Sequence, residues 1–281
     1  MTFDDLYTLY YERHATTRTR RPDNARYFFN VHGEQWRQRS ISEIQQPEVQ
    51  DWVDTLGTKS PTAANRAVNM MSAIINWGIK RGHLKADYNP CRGVERFRTR
   101  SRERFLMPEE MQRFRLALDK RPTLERDFFY IALLTGARRG NVLAMRWDEI
   151  DLNLAIWSFD QKNGDTQTTP LSTAALAILC RRLLSRENDE PWVFPSPKKK
   201  GSHLAEPKRA WKRLMIAAGI ENLRIHDLRR TLGSYLAING ASPYLIGKAL
   251  GHRDQRSSAV YARLDLKPVR EALERIQESW L

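Results

Sequence analysis

The sequence predicts a mainly α-helical protein with a small β-sheet, an α+β fold divided into two domains. Apolar residues recur at helical spacing over most of the chain, and a few short strand patterns occur only in its second half. A length of 281 residues is that of about two ordinary domains. Hydrophobic residues make up 41% of the chain, which is enough to build a sizeable core and excludes a disordered basic tail.

The first domain, residues 1–90, is predicted to be a small bundle of four or five helices. Apolar side chains recur with helical spacing near the N-terminus and again around residue 50. The clearest helix runs from about Thr62 to Arg81, because Pro61 precedes its apolar stripe and Gly82 follows it.

A strongly basic segment, residues 91–104, follows the bundle. Its sequence, CRGVERFRTRSRER, holds six arginines and two glutamates and very little that is apolar. We predict that it links two domains, because a charged segment extends by self-repulsion. Most such segments are solvated connectors, but one placed between two basic domains could also follow a phosphate backbone.

The second domain, residues 105–281, is predicted to mix helices with short strands. Pro108 opens a helix with acidic residues in its first turn, and a mostly buried helix covers residues 127–135. Short strands at Ile156–Phe159 and Gln167–Pro170 flank an Asn-Gly pair, which is a strong signal for a hairpin turn.

The remainder of this domain is predicted to be largely helical. Ser172 caps a helix, and Val193-Phe194 forms one more short strand. Helical patterning then continues from Glu206, with glycine stops at three positions and an amphipathic tail helix after residue 261.

The charge balance points to a polyanionic partner. The chain has 47 Lys and Arg residues against 33 Asp and Glu residues, a formal net charge of +14. Both predicted domains share the excess, and nucleic acid is the common polyanion that such proteins bind. The alternative is a basic protein whose charge serves only solubility.

The cysteine count and the N-terminus indicate an intracellular protein. Cys91 and Cys180 stand far apart and form no C-x-x-C pair, which excludes a disulfide scaffold and a zinc ribbon. The N-terminus is acidic where a signal peptide would be basic, and no apolar run reaches the ~18–20 residues of a membrane span. We therefore expect a soluble cytoplasmic protein, associated with the nucleoid if it binds DNA, that uses no metal and no cofactor.

Six polar residues stand where a helical core does not need them. Arg138 opens a helix, where its charge is unfavourable unless an anion shares the site; the alternative is a solvated arginine. His226 and Arg229 are three residues apart on one helix face. They combine a side chain that can carry a proton with a planar guanidinium that can bind two phosphate oxygens. Alternatively, His226 caps the helix and Arg229 forms a surface salt bridge.

The other three residues lie at element ends or turns. His252 follows a glycine helix stop, and Tyr261 follows it by nine residues on a new short helix. Lys162 lies at the edge of the predicted hairpin turn. Taken alone, the tyrosine is typical of a half-buried core residue and the lysine of a solvated turn, because short motifs are often accidental.

Taken together, the six residues suit phosphoryl transfer without a metal ion. Arginines and a histidine would stabilise the non-bridging oxygens of a phosphodiester. A tyrosine, with an ordinary pKa near 10, becomes a nucleophile when cations and a base favour its phenolate. A lysine on a turn could approach the oxygen that leaves.

The second domain resembles the catalytic domain of the tyrosine recombinases, also called the phage integrase family. The resemblance covers roughly residues 105–265 and is weaker over the first domain. Five elements carry it in the family's order: T-G-A-R ending at Arg138, K-N-G at Lys162, H-D-L-R at 226–229, L-G-H at 250–252 and Y-A-R-L from Tyr261. In the first domain, P-T-A-A-N-R at 61–66 and N-W-G-I-K-R-G at 76–82 resemble the helical core-site-binding domain.

The resemblance implies a role for each of the six residues. Tyr261 would attack the scissile phosphate, giving a 3′-phosphotyrosyl link and a free 5′ hydroxyl. Lys162 would protonate the leaving 5′ oxygen, and His226 would assist as a base. The remaining three residues, Arg138, Arg229 and His252, would hold the non-bridging oxygens.

The resemblance also implies the partners. The two domains would clamp double-stranded DNA at a specific core site, and four protomers would exchange strands through a Holliday junction. Accessory proteins that bend DNA or set direction are further expected partners, and no membrane is involved. Motifs such as H-D-L-R-R-T are most similar to integrases of prophages and integrative elements.

Two departures from the family and several rival functions remain. Many relatives carry an acidic residue where Asn141 stands, and many integrases have a further arm-binding domain, so this chain is a simpler or a shortened version. A resolvase of chromosome or plasmid dimers, or a DNA-inverting recombinase, would share the chemistry. A catalytically idle DNA-binding relative has no physical reason to keep all six residues, and a type IB topoisomerase would relax DNA without synapsis.

Overall fold

The computed structural model of the chain describes residues 1–19, 21–85, 88–99, 102–160, 166–187, 189–251 and 261. Two compact units are formed, Met1–Ser101 and Arg102–Leu281. Both are mainly helical, and the second holds a three-stranded antiparallel sheet, so the predicted α+β class is confirmed. Within the described residues, none of the helices has the length and apolar character needed to cross a membrane.

The first unit is built around a long, well-capped helix. Its helices are α1 (Phe3–Tyr10), α2 (Thr16–Arg18), α3 (Asp23–Val31), α4 (Gln46–Lys59) and α5 (Pro61–Lys80), and a π-helical turn, Tyr11–Ala15, joins α1 to α2. The backbone N–H of Ala63 donates to the Ser60 hydroxyl at 3.3 Å, which confirms the predicted start of α5. Buried side chains of α1 and α5, such as Leu6 and Ile74, share one core.

The first part of the basic segment packs on this core. Cys91 and Val94 are buried in it. The side-chain amide of Asn65 donates to the carbonyl of Phe97 at 2.8 Å and accepts from its N–H at 3.0 Å. The ring of Phe97 lies directly over Gly57, where an added Cβ would be 2.0 Å from the ring. The role of residues 91–104 as a linker stays a prediction.

The second unit combines seven short helices with one small sheet in its described part. The helices are α6 (Pro108–Asp119), α7 (Thr123–Thr135), α8 (Arg139–Leu143), α9 (Thr173–Leu184), α10 (Lys208–Ala218), α11 (Asp227–Ile238) and α12 (Pro243–Leu250). The strands are β1 (Ile150–Asp151), β2 (Ile156–Asp160) and β3 (Thr166–Pro170), antiparallel in that order. The pairing of β2 with β3 confirms the predicted strands of the hairpin, while its turn lies outside the described residues.

Helix α7 organises the core of the second unit. Phe128, Phe129 and Ile131 on this helix are completely buried, and helices α6, α8, α9 and α11 pack against it. Helix α9 starts as predicted, since the N–H of Ala175 donates to the Ser172 hydroxyl at 3.4 Å. Packing against α7 therefore holds the N-terminal ends of α8 and α11 in place.

A buried ion network joins α7 to α9. The carboxylate of Asp127 is fully buried and lies 2.7 Å from Arg181, 3.4 Å from Arg182 and 3.3 Å from Arg126. The Arg182 side chain is also largely buried, and burial lowers the pKa of its guanidinium while Asp127 opposes the shift. The network thus supplies the counter-charge that a buried arginine requires.

The prediction of a strand at Val193-Phe194 was wrong. Both side chains are buried in the core, and the N–H of Val193 donates to the carbonyl of Met145 at 2.9 Å. Among the described residues, this part of the chain forms only isolated bridges on either side. Pro191 and Pro195 flank the pair, and because proline lacks an N–H, neither residue can donate to a ladder.

Candidate active site

The turn between α7 and α8 presents Arg138 at a helix start. Helix α7 ends at Thr135 and is capped by Gly136, whose φ of 58° is left-handed. A Cβ at Gly136 would lie 2.7 Å from Leu250 and 2.8 Å from Leu232, so only glycine fits this packed turn. Arg138 follows at the N-cap position of α8, which confirms the predicted helix start, and its side chain is exposed.

Arg229 projects from α11 into this turn. Only 6% of its surface is exposed, and its guanidinium donates to the carbonyl of Gly136 at 2.8 Å. The alternative of a surface salt bridge is therefore wrong. Burial and the nearby charge of Arg138 lower the pKa of Arg229 to about 10, while Tyr261 opposes the shift. The group stays charged at neutral pH.

Two arginines thus lie at the turn between α7 and α8 without a counter-charge from the described part of the chain. Among the described residues, no carboxylate forms an ion pair with Arg138 or Arg229, although thirteen other ion pairs do form there. Placing two cations together in a partly desolvated site costs free energy unless an anion binds between them. The arrangement therefore suits a phosphate.

His226 lies at the N-cap position of α11. Within the described residues its side chain makes no capping hydrogen bond, so the alternative of a structural cap is not supported. Although the ring keeps solvent contact, partial desolvation and the charges of Arg229 and Arg230 lower the pKa of His226 below its ordinary 6.5. Asp227 opposes this shift. The imidazole is therefore neutral at pH 7 and able to accept a proton.

Tyr261 sits in a small apolar cluster of its own, built by α11 and α12. Ala237, Ile246 and Leu250 are the other buried members, and the tyrosine is 7% exposed. Burial raises the pKa of Tyr261 above its ordinary 10, although the charges of Arg229 and Arg230 oppose the shift. The side chain is thus both a core residue and a phenol beside cations, so these two interpretations do not exclude each other.

The structure brings four of the six predicted residues into one region of the second unit. Arg229 donates to the carbonyl of Gly136, two residues before Arg138. His226 lies at the start of the same helix, and Tyr261 packs on Gly233 of that helix. Lys162 and His252 lie outside the described residues. Metal-ligating side chains do not gather in groups of three or more within the part of the chain that the structure describes.

Two residues that the sequence analysis gave no role support this region. Asp227 is buried at the start of α11 and accepts hydrogen bonds from the guanidinium of Arg102 at 2.9 Å and from the N–H of Arg224 at 2.8 Å. Its position inside H-D-L-R was the signal in the sequence from which a role for Asp227 could have been predicted.

Gln167 is the second of these residues. It is a buried polar residue of β3 whose amide lies against Gly251, where an added Cβ would be 2.1 Å away.

Curated proteins with similar sequences are recombinases. The prophage integrase IntF of Escherichia coli K12 is 25% identical over 253 residues, which cover 86% of this chain and 54% of that protein. The ICEBs1 integrase of Bacillus subtilis 168 is 24% identical over 288 residues, covering 91% of this chain and 77% of that protein. The chain thus spans about half the length of IntF.

Solved structures with the same fold are integrases bound to DNA. A Tn1549 transposon integrase in complex with a circular intermediate DNA has a TM-score of 0.78 at 14% identity, covering 98% of this chain and 99% of that one. A lambda integrase dimer bound to a core site has a TM-score of 0.76 at 17% identity, covering 93% and 95%. The model of the phage integrase family matches residues 104–267, more than half of the chain. The chain belongs to the phage integrase family.

Proposed function

We propose that this chain is a site-specific DNA recombinase that cleaves and rejoins DNA through Tyr261. The observation that carries the proposal is that Arg138 and Arg229 lack a carboxylate partner among the described residues, while the buried Tyr261 packs on the helix that carries Arg229. A phosphodiester would supply the missing anion. Similar family members include the prophage integrase IntF and the ICEBs1 integrase, so we propose integration and excision of a mobile element.

In the cleavage step, the phenol oxygen of Tyr261 attacks the scissile phosphorus, and the bond from phosphorus to the 5′ oxygen breaks. His226 takes the phenol proton, because it is neutral at pH 7. Lys162 gives a proton to the departing 5′ oxygen. The charge that develops on the non-bridging oxygens is stabilised by Arg138, Arg229 and His252.

The step exchanges one phosphodiester for another. Its products are a 3′-phosphotyrosyl link and a free 5′ hydroxyl, so the energy of the broken bond is retained in the enzyme–DNA link. The 5′ hydroxyl of a second strand can attack that link and release the tyrosine. Strand exchange therefore needs neither ATP nor a metal ion in this proposal.

The DNA partner follows from the charge of both units and from the relatives. Solved integrases of the same fold are bound to circular intermediate or core-site DNA. We propose that residues 1–90 bind the core site, that residues 91–104 link the domains and that four protomers assemble on two duplexes. The exposed lysines of residues 198–200 are further candidates for contact with DNA.

The test of the proposal is covalent trapping in the presence of EDTA. Nicked duplexes tiled across the ends of the element that carries the gene would be incubated with the wild type and with Tyr261→Phe. We expect an SDS-resistant adduct at one position with the wild type and none with the variant, because phenylalanine lacks the nucleophilic oxygen. Tyr130→Phe in the same unit is the matched control and should form the adduct.

The other outcomes separate the rival functions. Selective DNA binding without an adduct on any duplex would support an idle DNA-binding relative and overturn the catalytic proposal. Adducts at every position would indicate a topoisomerase. If palindromic duplexes from outside the element are added to the panel, an adduct on one of them alone would favour a dimer-resolving or DNA-inverting recombinase with the same chemistry.

The acid side of the cleavage pH profile should lie below pH 6.5. The lowered pKa of His226 keeps the imidazole unprotonated until the pH falls below that value, so proton acceptance persists through neutral pH and is lost in acid. Single-turnover adduct formation between pH 5 and 8 measures the profile. In His226→Asn the rate should be lower and the acid limb should disappear. A limb centred above pH 6.5, or one unchanged in that variant, would contradict the assignment.

A further inference from the structure

Gly233 occupies an unusual position in α11. It lies four residues after Arg229, one helical turn along the same face, and five residues before the helix ends at Ile238. A glycine in the interior of a helix costs roughly 0.5–1 kcal/mol relative to alanine. Neither a left-handed φ nor a helix end explains this one, so another constraint must act there.

The constraint is the ring of Tyr261. A Cβ built on Gly233 would lie 2.6 Å from Cζ and 2.8 Å from Cε1 of that ring, and 3.0 Å from Leu250. Favourable carbon–carbon contacts begin at about 3.5 Å, so a methyl group does not fit. The ring therefore rests directly on the helix backbone, with Ala237 of α11 and two residues of α12 as the other buried members of the apolar cluster.

We propose that Gly233 is a positioning residue for the nucleophile. The ring atom that contacts it, Cζ, carries the hydroxyl, so the absent side chain sets how closely the phenol oxygen approaches the face of α11 that presents Arg229. This inference rests on the proposed function, in which Tyr261 attacks the phosphate. A shift of the oxygen by about 1 Å is enough to slow a displacement roughly a hundredfold.

The test compares Gly233→Ala with Gly140→Ala in the full chain. Gly140 is a suitable control because it lies in a helix of the same unit and a Cβ there meets no atom within 4 Å. We expect Gly233→Ala to slow single-turnover adduct formation about 10- to 100-fold at saturating nicked DNA. The dissociation constant for DNA should stay unchanged, and Gly140→Ala should match the wild type in both.

A second readout follows the ring without DNA. Tetranitromethane nitrates exposed tyrosines, and mass spectrometry locates the product. Tyr261 is 7% exposed and should react slowly in the wild type, then faster in Gly233→Ala, where the ring is displaced. Tyr130, a half-buried tyrosine in the same unit, should react at the same rate in both proteins.

Each alternative result would contradict either this inference or the proposed function on which it rests. Cleavage and nitration of Gly233→Ala that match Gly140→Ala would overturn the inference. Nitration raised equally at Tyr261 and Tyr130, with a lower melting temperature, would show a structural role only. If the wild type forms no adduct, the proposed function is wrong, and so is the catalytic part of this inference. The nitration experiment would still show whether Gly233 positions the ring of Tyr261.

Discussion

Replacing Arg229 with alanine should reduce DNA cleavage about a hundred- to a thousandfold while much of the DNA affinity remains. The guanidinium is 6% exposed, stays charged at neutral pH and donates to Gly136 beside Arg138. A preorganised donor of this kind, acting on charge that develops in the transition state, contributes about 2.7–4 kcal/mol. Affinity depends mainly on many phosphate contacts, so the loss of one buried arginine changes it little.

Adduct formation on the nicked core-site duplex and a gel-shift titration would measure the two quantities separately. Arg224→Ala is a matched control, because this exposed arginine lies just before the same helix and the substitution removes the same charge. Arg229→Lys separates charge from shape, since lysine lacks the planar fork that reaches two phosphate oxygens. Wild-type cleavage by Arg229→Ala would remove this residue from the mechanism.

Replacing Asp127 with alanine should lower the free energy of unfolding of the second unit by about 3–5 kcal/mol. The change leaves the largely buried guanidinium of Arg182 without its carboxylate, and an uncompensated buried charge costs about that much. The effect exceeds that of an ordinary surface ion pair because water cannot solvate the remaining partner.

Urea unfolding followed by circular dichroism would measure the loss. Asp148→Ala is the matched control, since Asp148 also pairs with an arginine, Arg146, but is exposed to solvent. This control should leave the unfolding midpoint close to that of the wild type. Equal midpoints for Asp127→Ala and Asp148→Ala would show that the buried network does not stabilise the unit.

Local signals in the sequence predicted most helices and the places where chemistry concentrates. Caps and glycine stops act over a few residues, so the starts of α5 and α9 and the turn before Arg138 were visible in the sequence. The catalytic roles came from a resemblance, because the contact of Arg229 with Gly136 joins residues 93 positions apart and no local pattern encodes it.

The features that escaped prediction depend on tertiary packing. The buried pair Val193-Phe194 has strand-like composition, but only isolated bridges form on either side of it, next to prolines that cannot donate to a ladder. Gln167 lies on the inward face of β3, where its amide donates to the Thr169 hydroxyl at 3.2 Å and packs against Gly251 at the end of α12; the packing on Gly251 cannot be seen in the sequence. The contact of Tyr261 with Gly233 likewise could not be predicted from the sequence, because it joins residues that are far apart along the chain.

The packing of residues 91–97 on the first unit bears on how this protein should be dissected. A fragment that stops at residue 90 would lack Cys91, Val94 and Phe97, and would leave Asn65 without its backbone partner. Its newly bared apolar surface would favour aggregation over a folded helical module. A fragment that extends to residue 99 keeps all of these contacts. It is therefore the fragment with which the DNA affinity of the first unit should be measured.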